Sequence, residues 1–335
     1  MQLFNFYIYT LFLNFTLIFA AFIPNGRFFH SSVLIDNKLY FSGGFKQINY
    51  SYITVTNEFF YLDVSKPFTT TDNDSIPWVD LTYTGGPLKA GTTACIGGKN
   101  NDMIFIFGGI RTNQPFVNQF DTNKQQWINI TSVGNVPTNR YEISCANFDN
   151  GLIAIFSGFF NTTYSINDLW IFNTLTLTWS FSNATNAPFP MSGYCAVTLP
   201  DGNILYIGGH SFNLSNFIPM NNLPLYNTTS NTWTSKIILG PLPSPRNYFS
   251  AVLSVSNISD SSKIFMLDIS RKYSYKWATE FAANRTNITT TTTTNSPTTN
   301  FLAGVIVGSI FSFIMFASAI FNFLVKRLNL VILFS

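Results

Sequence analysis

The chain carries a pattern that recurs five times, and this repeat limits its fold more than any other feature. Each copy opens with a proline and continues through short apolar segments to a tryptophan. The openings are residues 24–31, 87–94, 137–144, 188–195 and 243–250. Apolar runs ending in paired small residues follow in the first four copies, at 39–44, 104–109, 153–158 and 204–209. A repeat of this kind predicts one supersecondary unit per copy, stacked against its neighbours.

Each unit predicts one four-stranded antiparallel sheet, so the predicted fold class is all-β. The strands are short, rich in Ile, Phe, Tyr and Thr, and bounded by Gly, Pro and Asn. Such a sheet has two apolar faces, and radial stacking around an axis buries both. We expect the glycines to lie where strands crowd and the tryptophans to fill gaps between sheets. These signature residues are Gly43, Gly44, Gly108, Gly109, Gly158, Gly208, Gly209, Trp78, Trp127, Trp179, Trp233 and Trp277.

The pattern resembles the kelch repeat, in which an apolar run ends in Gly-Gly and is followed by an aromatic residue and a tryptophan. In the middle repeats the aromatic residue precedes the tryptophan by seven positions, as from Phe120 to Trp127. The resemblance covers residues 24–281 and implies a β-propeller with five recognisable four-stranded repeats. Kelch propellers usually have six or seven blades, so a sixth blade is left open. Repeat three carries Ser157 in place of the first glycine, and repeat five lacks the pair, as if a strand were shortened or lost.

The enzyme with this repeat architecture is galactose oxidase, whose copper site needs two His, two Tyr and a Cys bonded to one Tyr. This chain offers only His30 and His210, in repeats one and four. We interpret His30 as a packed strand residue and His210 as a loop residue. No Ser/His/Asp arrangement, zinc spacing or phosphate loop is present. The sequence therefore predicts a non-enzymatic binding module without catalytic residues, metal or cofactor. The alternatives are a galactose-oxidase-like or other carbohydrate-directed enzyme, a structural glycoprotein and a degenerate paralogue.

Loops are expected to carry any binding function. In an antiparallel four-stranded blade, the loop after the second strand and the loop to the next blade leave on one face. The candidate binding face for an unknown protein or glycan ligand comprises Lys46, Arg111, His210 and Phe217. A second set of cations, Arg27, Arg140 and Arg246, recurs at one repeat position. We interpret these arginines as structural, each bonding carbonyls of a neighbouring sheet.

Both ends of the chain predict membrane targeting. The predicted organisation is a signal peptide at 1–21, a propeller ectodomain at 22–283, a Thr-rich stalk at 284–300, a transmembrane helix at 301–325 and a cytoplasmic tail at 326–335. Lys326 and Arg327 follow the helix, which predicts a single-pass type I protein at the cell surface or in a secretory-pathway membrane. Gly304 and Gly308 predict at most a weak homodimer through that helix.

Sequons and cysteines fit the same compartment. Predicted N-glycosylation sites are Asn49, Asn73, Asn129, Asn161, Asn183, Asn213, Asn227, Asn257, Asn284 and Asn287. Cys95, Cys145 and Cys195 are spaced 50 residues apart. The odd count leaves two interpretations open: three buried small residues, or one disulfide between neighbouring repeats. The net charge of +3 is too small to predict nucleic-acid binding.

Overall fold

The computed structural model of the chain describes residues 22–49, 52–65, 67–68, 76–110, 113–132, 134–148, 151–160, 164–211, 216–254, 264–268, 275–278 and 329–333. Within these residues the fold is all-β, which confirms the predicted class, with one 3₁₀ turn at Thr82–Thr84. The predicted signal peptide, stalk and transmembrane helix lie outside the described residues. Inside them, no helix is long and apolar enough to cross a membrane.

The strands are short, as the dense turn residues of the sequence predict. In chain order they are β1 (Arg27–Phe28), β2 (Ser31–Ile35), β3 (Lys38–Ser42), β4 (Phe45–Asn49), β5 (Tyr52–Val55), β6 (Phe59–Asp63), β7 (Trp78–Asp80), β8 (Thr92–Gly97), β9 (Met103–Gly108), β10 (Val117–Asp121), β11 (Gln126–Ile128), β12 (Cys145–Phe148), β13 (Leu152–Phe156), β14 (Phe159–Phe160), β15 (Tyr164–Ser165), β16 (Leu169–Asn173), β17 (Thr178–Ser182), β18 (Cys195–Thr198), β19 (Ile204–Ile207), β20 (His210–Ser211), β21 (Asn216–Phe217), β22 (Asn222–Asn227), β23 (Thr232–Leu239), β24 (Ser250–Ser254), β25 (Ile264–Asp268), β26 (Tyr275–Ala278) and β27 (Asn329–Leu333).

Each of the first four repeats forms a four-stranded antiparallel blade whose spatial order is the chain order. Blade 1 is β2-β3-β6-β7, blade 2 is β8-β9-β10-β11, blade 3 is β12-β13-β16-β17 and blade 4 is β18-β19-β22-β23. The inner strands β2, β8, β12, β18 and β24 are neighbours in that order, as expected for blades around one axis. The fold is therefore propeller-like.

The fifth blade differs from the others in where its strands come from. Its order is β24-β27-β25-β26, so a strand from the end of the chain occupies the second position. Its outer strand β26 also pairs in parallel with β23, which joins blades 4 and 5 into one eight-stranded sheet. The second strand expected within the repeat is replaced by residues 329–333.

Aromatic side chains fill the spaces between blades. The ring centroid of Trp127 in blade 2 lies 5.0 Å from that of Phe59 in blade 1. Trp233 of blade 4 lies 4.7 Å from Phe156 of blade 3. The indole N–H of Trp277 donates to a backbone carbonyl of blade 4 at 2.8 Å. Outer-strand tryptophans thus pack across the gap to the preceding blade.

The paired small residues bring neighbouring backbones into contact. The second glycine of each pair donates its N–H to a carbonyl of the next blade: Gly44 to Lys89 at 2.8 Å, Gly109 to Arg140 at 3.0 Å, Gly158 to Met191 at 3.0 Å and Gly209 to Arg246 at 2.8 Å. The first glycine has positive φ, and a Cβ on Gly208 would lie 2.6 Å from the Arg246 carbonyl oxygen. At the serine that departs from the pattern, the Ser157 hydroxyl accepts the Met191 N–H at 2.8 Å.

One disulfide joins the inner strands of two neighbouring blades. Cys95 on β8 pairs with Cys145 on β12, while Cys195 on β18 is a buried free thiol. Burial raises the pKa of Cys195 to about 11, so this thiol is un-ionised at neutral pH. Of the two interpretations left open by the sequence, the inter-repeat disulfide is the one the structure shows.

Candidate functional site

Among the described residues, three β-hairpins extend from one face of the propeller. They are β4–β5, β14–β15 and β20–β21, and each follows the second strand of its blade. Their first strands pair back onto the segment that enters the inner strand, through Phe28 to Phe45, Tyr141 to Phe159 and Ser192 to His210. The hairpins and the blade entries therefore share a face, which we call the hairpin face. The sequence predicted loops for these segments. Instead, β-forming residues such as those of Tyr52–Val55 fold them into two-stranded or three-stranded ribbons.

The hairpin face exposes several large apolar side chains. The exposed fractions are 57% for Ile48, 56% for Tyr52, 53% for Ile53, 45% for Phe28, 43% for Phe217 and 44% for Tyr248. The first four belong to the three-stranded ribbon β1-β4-β5, so they are neighbours on one small sheet. Apolar side chains gathered on exposed ribbons are typical of a surface that binds another protein.

The predicted binding residues are only partly brought together. Lys46 donates to Glu58 Oε1 at 2.5 Å and its side chain is 25% exposed, so it is held within blade 1. His210 packs edge-on against Phe217, with ring centroids 5.7 Å apart, across the β20–β21 hairpin. His210 is thus a strand residue instead of the predicted loop residue. Arg111 lies outside the described residues.

Two of the recurring arginines are internal braces of their own blades. Arg27 pairs with Glu58, and its Nη1 donates to the Gly43 carbonyl at 3.4 Å. Arg140 is 1% exposed and its Nη2 donates to Asp168 Oδ2 at 3.0 Å. Its Nη1 also donates to the Ser157 carbonyl at 3.2 Å. The sequence predicted that these arginines bond carbonyls of a neighbouring sheet. That prediction is wrong for Arg27 and Arg140, because each guanidinium bonds a carbonyl of its own blade.

The carboxyl of Glu58 is held in its ionised form by the two cations beside it. Burial alone raises the pKa of Glu58, but hydrogen bonds and charges from Lys46 and Arg27 outweigh it and leave the pKa below its usual value.

Lys89 stands in blade 2 at the position that Arg27 holds in blade 1, and its ammonium donates to the Pro115 carbonyl. Burial, with no carboxylate partner among the described residues, lowers the pKa of Lys89 to about 7.

An arc of backbone hydrogen bonds runs around the axis on the hairpin face. Its members occupy one position in the five repeats, and all have φ between 54° and 70°. The bonds run from Tyr248 N to Gly193 O at 2.9 Å, Gly193 N to Glu142 O at 2.8 Å, Glu142 N to Gly91 O at 3.0 Å and Gly91 N to Phe29 O at 2.7 Å. The ring of Phe29 meets that of Tyr248 edge-on at 5.0 Å. The first and fifth repeats therefore meet beside the axis.

Glu142 is the acidic member of this arc, and its carboxyl joins blade 3 to blades 4 and 5. Burial raises the pKa of its carboxyl, and hydrogen bonds to Tyr248 and Ser192 oppose that rise. The Oε2 atom is buried and has no hydrogen-bond partner among the described residues. Burial and the bond to Glu142 in turn raise the pKa of Tyr248. This arrangement holds Tyr248 beside the axis on the hairpin face.

His30 is half-buried and lies directly before β2. Its ring packs 5.6 Å from that of Phe41, and its Nδ1 is buried without a hydrogen-bond partner in the described part of the chain. Burial, with a smaller contribution from Arg27, lowers its pKa to about 4, so the ring is neutral. Across residues that the structure describes, no three His, Cys, Asp or Glu side chains gather into a metal-binding arrangement.

Several residues of the site were missed from the sequence. Asp168 and Glu58 carry no repeat signal, because a carboxylate stands at this position only in the first and third repeats, where it pairs with Arg27 and Arg140. The arc did leave a signal, since glycine stands at this position in two of the five repeats and favours positive φ. That signal would have pointed to Glu142 and Tyr248.

Comparison with known proteins gives the family. A family model described as the KLHDC2/KLHL20/DRC7 Kelch-repeats domain matches residues 68–266, more than half of the chain. The chain belongs to the kelch-repeat family.

The chain is similar to parts of proteins of different kinds. The chain is 30% identical over 152 residues to the Rho GTPase-activating protein gacHH of Dictyostelium discoideum, covering 43% of this chain and 10% of that protein. It is 26% identical over 178 residues to the human Rab9 effector protein with kelch motifs, covering 51% of this chain and 48% of the relative. It is 24% identical over 201 residues to bovine Kelch domain-containing protein 3, covering 56% and 48%. The chain thus spans a tenth to about half of the length of these relatives.

Proposed function

We propose that this kelch-repeat protein is a non-enzymatic interaction module that binds a protein partner through its hairpin face. The observation that carries the proposal is the ribbon β1-β4-β5, which leaves Ile48, Tyr52 and Ile53 more than half exposed. A relative named as an effector with kelch motifs supports a protein partner. The partner would bury these apolar side chains, with the aromatic anchors Tyr52 and Phe217 contributing most of the binding energy.

The scaffold beneath the face suits this role. The hairpin ribbons are anchored by buried ion pairs at Arg27 and Arg140 and by the arc that ends at Tyr248. Residues held on a rigid framework lose little conformational entropy when a partner binds. Exposed loops on a rigid scaffold are where binding functions concentrate.

We also propose that the module acts on the extracellular or lumenal side of a membrane. The disulfide between Cys95 and Cys145 supports this, because structural disulfides persist mainly in oxidising compartments. Two predicted glycosylation sites, Asn129 and Asn183, have exposed side chains. The signal peptide and membrane anchor themselves stay predictions.

A photo-crosslinking amino acid placed at matched positions tests the proposed face. Ile53 on the hairpin face is 53% exposed, and Leu175 in the turn between β16 and β17 on the opposite face is 52% exposed. We expect one partner to be crosslinked from Ile53 and from Phe217 in living cells and not from Leu175. Ile53→Asp should then reduce crosslinking from Phe217 at least tenfold, whereas Leu175→Asp should leave it unchanged. Equal crosslinking from both faces would refute the proposal.

A further inference from the structure

The fifth blade contains a strand position that its own repeat does not fill. In the described residues, β24 and β25 do not pair with each other; both pair with β27. The alignment is continuous over five residues on each side, from Ser250 and Ile264 opposite Leu333 to Ser254 and Asp268 opposite Asn329. Residues 329–333 therefore lie in a slot with a strand on either side.

The other blades show what this position normally holds. In blade 1 the second strand β3 follows β2 after a two-residue turn and is antiparallel to both neighbours. It ends at the paired glycines that contact the next blade. Repeat five has no glycine pair, and the position between β24 and β25 is held by β27. The slot thus has the geometry of a second strand, and a segment from outside the repeat occupies it.

An empty slot would be costly. Each flanking strand would present a row of unpaired N–H and C=O groups to the gap, and such edges attract any extended segment that can pair with them. The sequence NLVIL suits a central strand, because it is rich in β-branched and apolar residues and contains no proline. Leu330 and Leu267 are partners in the register, and Leu267 is fully buried in the blade 4–5 core.

We propose that the slot between β24 and β25 is a strand-binding site whose occupant is the C-terminal segment 329–333 of the same chain. The segment completes blade 5, and the fifth repeat depends on it. The C-terminus is consequently held on the same side of any membrane as the propeller.

This proposal competes directly with the predicted topology of the chain. A single crossing by residues 301–325 would place residues 329–333 on the far side of the bilayer, about 30 Å from the propeller side. One molecule cannot satisfy both arrangements.

Cysteine crosslinking in the full-length chain tests the occupant. The pairs Val252→Cys with Val331→Cys, and Met266→Cys with Val331→Cys, place thiols at registered partners on either side of β27. The matched control, Val252→Cys with Leu330→Cys, places the two thiols on opposite faces of the sheet. We expect both registered pairs, and not the control, to form an intramolecular disulfide under mild oxidation, seen as a mobility shift on non-reducing gels. Registered pairs that crosslink no better than the control would overturn the proposal.

A glycosylation tag tests the side of the membrane. An Asn-Ser-Thr acceptor appended after Ser335 is modified only if the C-terminus enters the lumen, and a Gln-Ser-Thr tag is the control. We expect chains that carry glycans at their native sequons to carry one at the tag as well. Glycosylated chains with an unmodified tag would place the tail across the membrane and overturn the proposal. Crosslinks between two copies instead of within one would show a swapped strand and overturn the assignment to the same chain.

Discussion

Substituting Gly108 with alanine should reveal how the blades are joined. Gly108 has φ of 75°, and a Cβ there would clash with the carbonyl oxygen of Arg140 in the next blade and lie 3.0 Å from Ile143 Cδ1. The chain offers a matched control in Gly85, whose φ is 76° and whose Cβ would meet no atom within 4 Å. The two variants therefore share the strain that comes from positive φ, and only Gly108→Ala also disturbs a contact between blades.

The expected losses of unfolding free energy follow from these contacts. An alanine in the left-handed region costs roughly 1 kcal/mol, which both variants incur. In Gly108→Ala the Arg140 backbone must also move, which weakens the 3.0 Å bond from Gly109 N, a contribution of about 1 kcal/mol. Disturbing the buried Arg140–Asp168 pair adds more, up to about 3 kcal/mol if the pair is broken. We expect a loss of about 1 kcal/mol for Gly85→Ala and about 3–4 kcal/mol for Gly108→Ala.

Thermal unfolding of the purified chain, followed by far-UV circular dichroism, measures the difference. At about 2–4 °C per kcal/mol for a domain of this size, the Tm should fall by about 3 °C for Gly85→Ala and about 10 °C for Gly108→Ala. Equal shifts for the two variants would refute the reasoning, because the strain from positive φ would then account for the whole effect.

Three further predictions concern buried groups. Lys89→Met should stabilise the protein at pH 7 by about 1–4 kcal/mol, since Met191 stands at the same position in blade 4. The folded-state pKa of Lys89, about 7, lies below the ordinary 10.5, so the wild type should gain stability as pH rises from 7 to 10 and the variant should not. Urea titrations that give parallel curves of stability against pH for the two proteins would contradict this. His30 has a folded-state pKa of about 4 against 6.5 unfolded, so the protein should lose up to about 3 kcal/mol of stability as pH falls from 6.5 to 4. His30→Phe should abolish that part of the pH dependence. A variant whose stability varies with pH as the wild type's does would show that another group is responsible. Cys95→Ser removes the disulfide to Cys145, which closes a loop of 50 residues, and should cost about 4 kcal/mol of unfolding free energy in non-reducing buffer. The difference from the wild type should be small when the wild type is also reduced. Equal stability of the two proteins without reductant would contradict the prediction.

The fold could be predicted because its determinants repeat along the chain. Trp127 and Trp233 each follow an aromatic residue at a fixed distance, and the structure packs both against the preceding blade. The glycine pairs mark the points where neighbouring backbones bond to each other. Local, periodic signals of this kind are readable from one sequence.

The candidate site was harder to predict, because its residues break the repeat. Glu142 and Tyr248 stand where other repeats carry glycine or phenylalanine, and only the ring arrangement brings them together. The hairpin ribbons were read as loops because short strands leave little periodicity to detect.

Two pairings depended on distances that the sequence does not contain. The three cysteines are equally spaced, so the sequence could not show whether Cys145 pairs with Cys95 or with Cys195. The pairing of residues 329–333 with β24 joins segments far apart in the chain, and no local pattern predicts it. Nonlocal strand pairing is the part of a β fold that single-sequence reasoning reaches last.

A single binding face requires that the five repeats form one ring, with the first repeat meeting the fifth. The most direct test is a double-mutant cycle on unfolding free energy with Phe29→Ala and Tyr248→Ala, whose rings lie 5.0 Å apart. We predict a coupling energy of about 0.5–1.5 kcal/mol, as for other edge-to-face aromatic pairs. The control cycle pairs Phe29→Ala with Phe181→Ala, an exposed ring on the outer strand of blade 3, and should give none. A Phe29–Tyr248 coupling no larger than that control would mean that the first and fifth repeats do not meet, which would contradict the ring and the single face built on it.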